Sequence, residues 1–372
     1  MADAQITLAY SRGTGIVAVT NGEQYKSAER VLRAAGFRRG TEDTVYRLPT
    51  ADEATARAVV TGMVRRAEEH GVSVTTSSRR FIGDAAGDIA LLLPGQWQYR
   101  VEVYSHPVWQ GDLVPYLWDS GELAQAVRTD RAIPYAATLK NPGSGTSLLL
   151  VERPGHRLEY LVGAFAPEFL DERVGDPHAP RSVVLPPLPG RAAQAIAHRY
   201  LPAYDRAVHE RRTARVAEAL DLIRSRLGGH PDLRVDAGLG AANLRGSTVS
   251  GAAEGRFLDS AWREFLTVLD HAPALLERCR PAASAWPQDA PALLRLAATL
   301  KDAAGVRADL NSGGPISRAE HHARVRPVIE TWLTHGERFL RQARACAPQP
   351  RSRVVVPASL RPLPPGMRPH TR

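Results

Sequence analysis

The chain has 372 residues, of which 44% are hydrophobic and 23% charged, with a net charge of +9. This composition is ordinary for a globular protein, and the length predicts two or three domains. The sequence has no apolar run near the roughly 20 residues that a membrane-spanning helix needs, which argues against a membrane protein. The N-terminal sequence lacks the features of a signal peptide, and Cys279 and Cys346 are expected to be free, buried thiols, so we predict a cytoplasmic protein.

The basic residues are 45 arginines and only 3 lysines, and the charge is unevenly distributed. Composition divides the chain into 1–82 (net +3), 83–190 (net −5), 191–346 (net +6) and 347–372 (net +5). Guanidinium groups bind phosphates well, which favours a nucleic-acid partner. The codon usage of a GC-rich genome also explains arginine in place of lysine. A further interpretation is that the basic bundle and the acidic middle dock on each other and cancel both signals.

Residues 1–82 predict a small α+β domain with the order ββαββαβ. Strands are expected at 5–9, 15–19, around 37–39, at 45–49 and at 72–76, with helices at 24–35 and 50–70. Thr50 is the expected N-cap of the second helix, because Glu53 follows three residues later. Gly36 and Gly71 are expected to end the two helices.

Residues 83–190 predict an acidic, aromatic domain built on an antiparallel sheet. Strands are expected at 89–93, 97–104, 135–139, 147–152 and 158–165, separated by Pro-Gly and Asn-Pro-Gly turns. One helix is expected at 122–129, and 171–190 is expected to be a connector. Trp97, Tyr99 and Tyr104 on one strand suggest a stacking platform for bases or, as the more ordinary alternative, core packing.

Residues 191–346 predict a basic helical bundle. Helices are expected at 191–227, with an interruption near Pro202, and at 256–279, 290–304 and 317–346. Residues 231–254 are rich in glycine and alanine and have no clear period. The tail 347–372 has seven prolines, five arginines and no acidic residue, so it is expected to be disordered. The predicted fold class is therefore α+β, with a β-rich middle and a helical C-terminal part.

Several elements of the first 80 residues resemble a small module of actinobacterial plasmid and phage proteins. They are Gly13-Thr14-Gly15-Ile16-Val17, the helix end Leu32 to Arg38, and the helix end Ala67 to Val74. The sequence departs from that module at Arg39, where a tryptophan is common. The resemblance implies a setting in a mobile element, where DNA-handling proteins are frequent, and it supplies no functional residue.

The helix predicted over 191–227 carries the strongest candidate for a binding site. Arginines on this helix and in the tail are predicted to contact nucleic-acid phosphates: Arg211, Arg212, Arg215, Arg351 and Arg353. The alternative is an ordinary solvated helix face, in which Arg215 pairs with Glu218 and Asp221 pairs with Arg224.

Other motifs are weaker, and each has an ordinary structural interpretation. Residues 140–147 resemble a phosphate loop, but a β-turn is expected because the lysine precedes the glycines. Residues 238–243 partly resemble a dinucleotide loop, but a flexible linker is expected. His321-His322 is expected at a solvated helix end behind a Ser317–Glu320 capping box. No metal site and no cofactor is predicted.

The function predicted first is a nucleic-acid-associated accessory protein of a mobile element. The second is a protein–protein scaffold that uses the acidic, aromatic middle as its docking face. The third is an enzyme whose site is assembled from residues distant in the sequence. His106 and Asp112, with Asp119 nearby, are the acid–base candidates for that third possibility.

Overall fold

A computed structural model describes residues 3–40, 45–50, 52–130, 133–170, 175–229, 233–238, 241–246, 251–279, 286–312 and 317–349. It confirms the predicted α+β class, with sheets in the first half of the chain and a helical C-terminal part. The tail that is predicted to be disordered lies outside the described residues from position 350 onward. Within the described residues, no helix combines the length and the apolar character that crossing a bilayer requires.

The N-terminal part has the predicted order of strands and helices. Its elements are β1 (Gln5–Ser11), β2 (Gly15–Asn21), α1 (Tyr25–Ala34), β3 (Arg38–Arg39), β4 (Tyr46–Arg47), α2 (Glu53–Glu69) and β5 (Ser73–Arg80). The strand order is β3-β4-β2-β1-β5, with only the β1–β5 pair parallel. Asp52, not Thr50, is the N-cap of α2, since its carboxylate accepts a hydrogen bond from the Thr55 backbone N–H at 2.7 Å.

Helix α3 (Ile82–Leu92) corrects the strand that we predicted at 89–93. Its buried residues Ile82, Ala85, Ala86, Ile89 and Ala90 follow the spacing of a helix face that packs on a sheet. The prediction was wrong because it considered only the last five residues of this apolar run, which are too few to distinguish a buried helix from a buried strand.

The middle part is a five-stranded antiparallel meander with one face packed on helices and the other partly covered. Its strands are β6 (Gln98–Val103), β7 (Tyr135–Asn141), β8 (Thr146–Glu152), β9 (Tyr160–Ala164) and β10 (Val183–Leu185), in the order β10-β9-β8-β7-β6. One face packs on α3 and α6 (Pro189–Ala195), while α4 (Pro107–Gly111) and α5 (Glu122–Gln125) lie on the chain segment that covers part of the other. Burial on both faces explains why β8 contains the continuous apolar run Leu148–Val151.

A long helical segment connects the middle part to the C-terminal helices. After α6, a π-helical stretch at Ile196–Tyr200 leads directly into α7 (Leu201–Gly228). This stretch lies just before Pro202, where an interruption was predicted, because proline cannot donate the hydrogen bond of a regular helix. Tyr204 and Ala207 of α7 pack in the core of the middle part, whereas Val216 and Leu220 pack in the core of the bundle.

The C-terminal helices are α8 (Gly251–Arg278), α9 (Ala290–Asn311) and α10 (Arg318–Ala345), and they form a bundle with α7. Its core contains the aromatic side chains Phe257, Phe265, Trp332 and Phe339. Between α7 and α8, where we expected a linker, a two-stranded hairpin forms from β11 (Leu233–Gly238) and β12 (Ala241–Gly246). Cys279 is buried and Cys346 is half-buried, and both are free.

The predicted domain boundaries fall inside shared hydrophobic clusters. Val17, Val19 and Val45 of the first sheet belong to the same cluster as Phe81 and as residues of the middle sheet. The same cluster continues through α6 into α7, ending at Ala207. The division at 82 and 190 therefore stays a prediction from composition, and the middle part packs directly on the N-terminal part and on α7.

Arginines from both basic flanks pair with acidic groups of the middle part. From the first part, Arg80 Nη1 lies 2.8 Å from Asp88 Oδ2, and Arg79 Nη1 lies 3.1 Å from Glu152 Oε2. Burial raises the pKa of the Glu152 carboxyl group, and the nearby Arg79 charge opposes this shift. The uneven charge of the sequence is thus partly neutralised by ion pairs within the fold.

Candidate functional site

The arginines predicted to form a stripe on α7 have three different environments. Arg211 is only 7% exposed; its Nε lies 3.2 Å from Asp176 Oδ2 and its Nη1 lies 3.1 Å from Glu218 Oε1. A phosphate would have to displace both carboxylates to bind it. Arg211 is therefore placed to connect α7 to the segment around Asp176, not to contact a large ligand at the surface.

Asp176 is a buried carboxylate that holds three groups together. Its Oδ2 accepts a hydrogen bond from Trp118 Nε1 at 2.9 Å and pairs with Arg211, while its Oδ1 accepts from the His178 backbone N–H at 2.9 Å. Its side chain is 2% exposed. Because a buried charge needs such partners, this cluster has a structural role.

Arg215 and Arg224 form the ion pairs that the alternative interpretation of α7 expected. Arg215 Nη1 lies 3.5 Å from Glu218 Oε2, and Arg224 Nη1 lies 2.9 Å from Asp221 Oδ1. Pairs of this kind on a helix surface add little stability, and they leave less positive charge available to an external phosphate.

Arg212 differs from its neighbours because it makes no ion pair and no hydrogen bond with any described residue. Its guanidinium carbon lies 4.2 Å from the centroid of the Phe169 ring, and its Nε is buried without a hydrogen-bond partner. Burial and the nearby positive charge of Arg278 lower the pKa of Arg212. A cation in this position is one that a bound anion would stabilise.

Arg212 lines a cleft of about 1020 Å³ between the middle sheet and the helices α7 and α8. One face of β6, β7 and β8 forms its floor, with Glu102, Thr138, Lys140 and Ser147. Aromatic side chains from several elements line it: Tyr104, Tyr116, Phe165, Phe169 and Tyr204. Arg278, at the C-terminal end of α8, completes the lining beside α7.

The cleft contains charges of both signs. Its cations are Lys140, Arg212 and Arg278, and its carboxylates are Glu102, Asp112, Glu168 and Asp205. Glu102 Oε2 already accepts a hydrogen bond from Tyr104 OH at 2.9 Å. Burial raises the pKa of the Asp205 carboxyl group, and the charge of Arg278 partly opposes this shift. Burial also raises the pKa of Tyr204 to about 12, so this phenol stays protonated at neutral pH.

A second basic feature lies on α10, and we did not predict it from the sequence. Arg338, Arg341 and Arg344 are exposed, three residues apart on one helix face. With Trp286 they line a groove of about 670 Å³, whose one acidic residue, Glu337, is paired with Arg224 of α7 at 2.7 Å. We call the three arginines and Trp286 the α10 arginine surface. The spacing of three is visible in the sequence and is the signal that would have found it.

The arginines of the α10 arginine surface are less neutralised than those of α7. Arg341 is paired, since its Nη2 lies 2.6 Å from Asp289 Oδ2, and its guanidinium carbon lies 4.8 Å from the centroid of a Trp286 ring. Within the described part of the chain, Arg338 and Arg344 have no ion pair. Two exposed cations therefore remain available to an external anion, on either side of an arginine held against an aromatic ring.

The acid–base candidates of the sequence do not come together in one site. His106 caps α4 through its Nδ1, which accepts from the Val108 backbone N–H at 3.2 Å, and it packs against Trp109 and Tyr25. Asp112 lines the cleft, but His106 does not. Asp119 is buried and its Oδ2 accepts hydrogen bonds from the backbone N–H groups of Gly121 and Ala124. These contacts are structural.

The remaining motifs are explained by local structure. Residues 140–147 form the β-turn that we expected between β7 and β8, with Asn141 Oδ1 accepting from the Gly143 backbone N–H at 2.9 Å. The predicted cap of α10 is confirmed, since Ser317 Oγ accepts from the Glu320 backbone N–H at 3.1 Å.

The histidine pair at the start of α10 is packed on α8, not solvated as we expected. His322 Nε2 lies 2.6 Å from Asp259 Oδ1, and His321 makes an edge contact with Trp262. No cluster of potential metal ligands occurs among the described residues. In the 238–243 motif, residues 239 and 240 lie outside the described part.

The aromatic residues of the middle part serve mainly as core. Trp118, Tyr135 and Tyr160 are buried. Tyr99 and Tyr116 are more than half exposed, and Tyr104 lines the cleft. The three aromatic residues predicted as a platform on β6 therefore do not share one exposed surface.

No family model, no curated protein and no solved structure matches this chain. The resemblance of residues 1–80 to a plasmid and phage module therefore stays a prediction.

Proposed function

We propose that this protein binds nucleic acid without sequence preference, through the α10 arginine surface and the arginines of the following tail. The observation that supports this most directly is that Arg338 and Arg344 are exposed and have no ion pair among the described residues. Arg351 and Arg353 follow shortly after α10 in a segment with no acidic residue. The proposal keeps the cytoplasmic, mobile-element setting expected from the sequence.

A phosphate that binds an arginine must replace whatever already contacts the guanidinium group. At Arg338 and Arg344, which have no ion pair among the described residues, it would not have to replace a paired carboxylate, and the release of counter-ions from nucleic acid favours binding. At Arg211 it would have to replace two protein carboxylates. The proposed contacts are therefore on α10 and in the tail, and α7 contributes structure to the same bundle.

The groove next to Trp286 is suited to a single strand as well as to a duplex. Aromatic rings beside basic groups stack on unpaired bases, and this contact tolerates any sequence. Phosphate contacts from arginine carry no sequence information by themselves. We therefore expect binding that depends on salt concentration and depends little on sequence.

The test is fluorescence anisotropy with labelled single-stranded and double-stranded DNA across a salt series. The full chain is compared with a variant carrying Arg338→Gln and Arg344→Gln. Each phosphate contact adds roughly 0.7 to 0.9 to the slope of log affinity against log salt, so we expect the slope to fall by about 1.5. A matched control carries Arg256→Gln and Arg263→Gln, which remove the same charge from exposed positions on α8.

Equal salt slopes in the two double variants would contradict the α10 arginine surface as the binding site. No binding by the parent at low salt would contradict the proposal as a whole.

A protein partner at the acidic, aromatic middle is a second candidate. The observation that favours it is the exposure of Tyr99 and Tyr116, which are 52% and 56% exposed. Such residues are common at interfaces. The pairing of Asp88, Glu152 and Asp176 with arginines of the same chain leaves this face less acidic than its composition suggests. Titration with a basic peptide, followed by calorimetry, tests it, and absence of heat counts against it.

A further inference from the structure

The cleft between the middle sheet and α7 has a feature that the proposed nucleic-acid function does not use. Arg212 is a partly buried cation, with its Nε shielded from water and without a hydrogen-bond partner among the described residues. Removing a charge from water without a partner costs free energy, and the nearby Arg278 adds repulsion. The aromatic ring of Phe169 compensates only in part.

The size and the lining of the cleft match a small organic ligand. Its volume of about 1020 Å³ is at the upper end of the range of roughly 300–1000 Å³ that is common for ligand sites. Aromatic rings line it from two parts of the chain, namely Phe165 and Phe169 in the segment after β9 and Tyr204 on α7. Rings of this kind bury the apolar body of a ligand while a few polar groups fix its orientation.

The charges of the cleft limit the ligand to one anionic group. Three cations face four carboxylates, so the lining has a formal net charge of −1 and disfavours a polyanion. The sheet register separates the two signs on the floor, because Glu102 pairs with Ala136 while Lys140 lies four residues further along β7. At about 3.3 Å per residue this places them roughly 13 Å apart. An anionic group is disfavoured near Glu102, and it is favoured near Arg212, whose buried Nε has no hydrogen-bond partner among the described residues.

We infer that this cleft is a binding site for a small aromatic or apolar molecule that carries a single carboxylate or phosphate group, which pairs with Arg212 and Arg278. Arg212 lines the cleft, and the Phe169 ring, 4.2 Å from its guanidinium carbon, holds the cation in place beside such a group. The site is separate from the α10 arginine surface and does not depend on the proposed nucleic-acid function.

Fluorine NMR of the full chain tests the inference with three matched probes. The probes are para-trifluoromethylbenzoate, para-trifluoromethylphenyl phosphate and the neutral para-trifluoromethylbenzyl alcohol. Line broadening as a function of protein concentration gives each dissociation constant. We expect at least one anionic probe to bind about tenfold or more tightly than the neutral probe, as for a charged hydrogen bond. Which anion binds better distinguishes a carboxylate ligand from a phosphate ligand.

Two variants and one control connect the binding to the cleft. Arg212→Gln and Arg278→Gln are each expected to weaken the anionic probe about tenfold and to leave the neutral probe unchanged. Arg278 is exposed, so its variant is expected to fold even if the partly buried Arg212 variant does not. Arg263→Gln, on the exposed surface of α8, is the control and is expected to bind like the parent.

The inference is overturned if all three probes bind equally or not at all. It is also overturned if the Arg278→Gln variant binds the anionic probe as tightly as the parent. Because these measurements contain no nucleic acid, their failure leaves the proposal for the α10 arginine surface intact. Conversely, the DNA-binding result for the α10 variants leaves the inference about the cleft unchanged.

Discussion

Helices α7 and α10 both carry arginines at close spacing, yet their surroundings give these arginines different roles. Arg211 on α7 is buried between Asp176 and Glu218, whereas Arg344 on α10 is exposed and has no ion pair among the described residues. The arginine side chains are chemically identical on the two helices. The difference shows that a basic helix becomes a candidate binding surface only where the fold leaves its charges uncompensated.

The largest expected effect is on the α7 side of this comparison. Replacing Asp176 by Ala leaves Arg211 without its buried partner and Trp118 Nε1 without its acceptor. Removing one member of a buried pair costs about 3–5 kcal/mol. We expect the free energy of unfolding, measured by urea denaturation, to fall by that amount. A loss below about 1 kcal/mol would show that Arg211 is not held in this way.

The second prediction concerns pH and the histidine that lies against the arginines of α7. His271 is buried, and burial together with the charges of Arg212, Arg215 and Arg211 lowers its pKa from 6.5 to about 4, with Asp270 opposing the shift. The unfolded chain therefore takes up this proton first as the pH falls. The stabilising contribution is complete above pH 6.5 and is lost between pH 6.5 and about 4, by about 3 kcal/mol.

The measurement is the free energy of unfolding of the parent and of His271→Gln across that pH range. Other buried histidines, including His209 and His335, also have lowered pKa values, so the difference between the two proteins is the relevant quantity. We expect this difference to change by about 3 kcal/mol from pH 6.5 to 4. Parallel pH curves would mean that burial and the α7 cations do not lower the pKa of His271.

A smaller effect is expected from Trp118→Phe, which removes one donor from the same cluster. The ring stays apolar, but Asp176 Oδ2 loses the hydrogen bond from Trp118 Nε1. A hydrogen bond to a charged group is worth about 1.5–3 kcal/mol, and the smaller ring adds a cavity cost. The midpoint of urea denaturation is expected to decrease, by less than in the Asp176→Ala variant. An equal or larger decrease would show that packing of the indole outweighs the ion pair.

The smallest effect on stability is expected on α10. Arg344→Gln removes an exposed charge without a partner, so the free energy of unfolding should change by no more than about 0.5 kcal/mol. The same measurement on Arg211→Gln, with its two carboxylate partners, is the matched comparison. Similar losses in both variants would remove the distinction between the two helices.

The acidic middle and the basic flanks differ less in the folded chain than in the sequence. The acidic middle and the basic flanks look like separate binding surfaces in the sequence. In the folded chain, Asp88, Glu152 and Asp176 each pair with an arginine from a flank. Part of the charge contrast therefore serves to hold the three parts together, and part remains on α10.

The sequence was sufficient for most of the regular elements. Two short runs of strand-forming residues around the turn at 11–14 identified β1 and β2, helical spacing identified α1 and α8, and glycine turns such as 141–145 separated the strands. The prediction from sequence failed at α3, because the five apolar residues 89–93 are too short to show a period. It also failed at the hairpin of β11 and β12, which lies in a region rich in glycine and alanine. The α7 arginines were predicted as the binding site because many arginines lie close together in that part of the sequence. The number of nearby arginines gives no information about which of them are buried.

By itself, the sequence determined the α+β class, the order of most elements and the net positive charge, because propensity and periodicity are local properties of the chain. The tertiary structure alone decided which arginines are neutralised, which face a cleft and which stay exposed. Asp176 is 35 residues away from Arg211 in the sequence and 3.2 Å from it in space. The free energy of a charge depends on its partners and its contact with water, and packing fixes both.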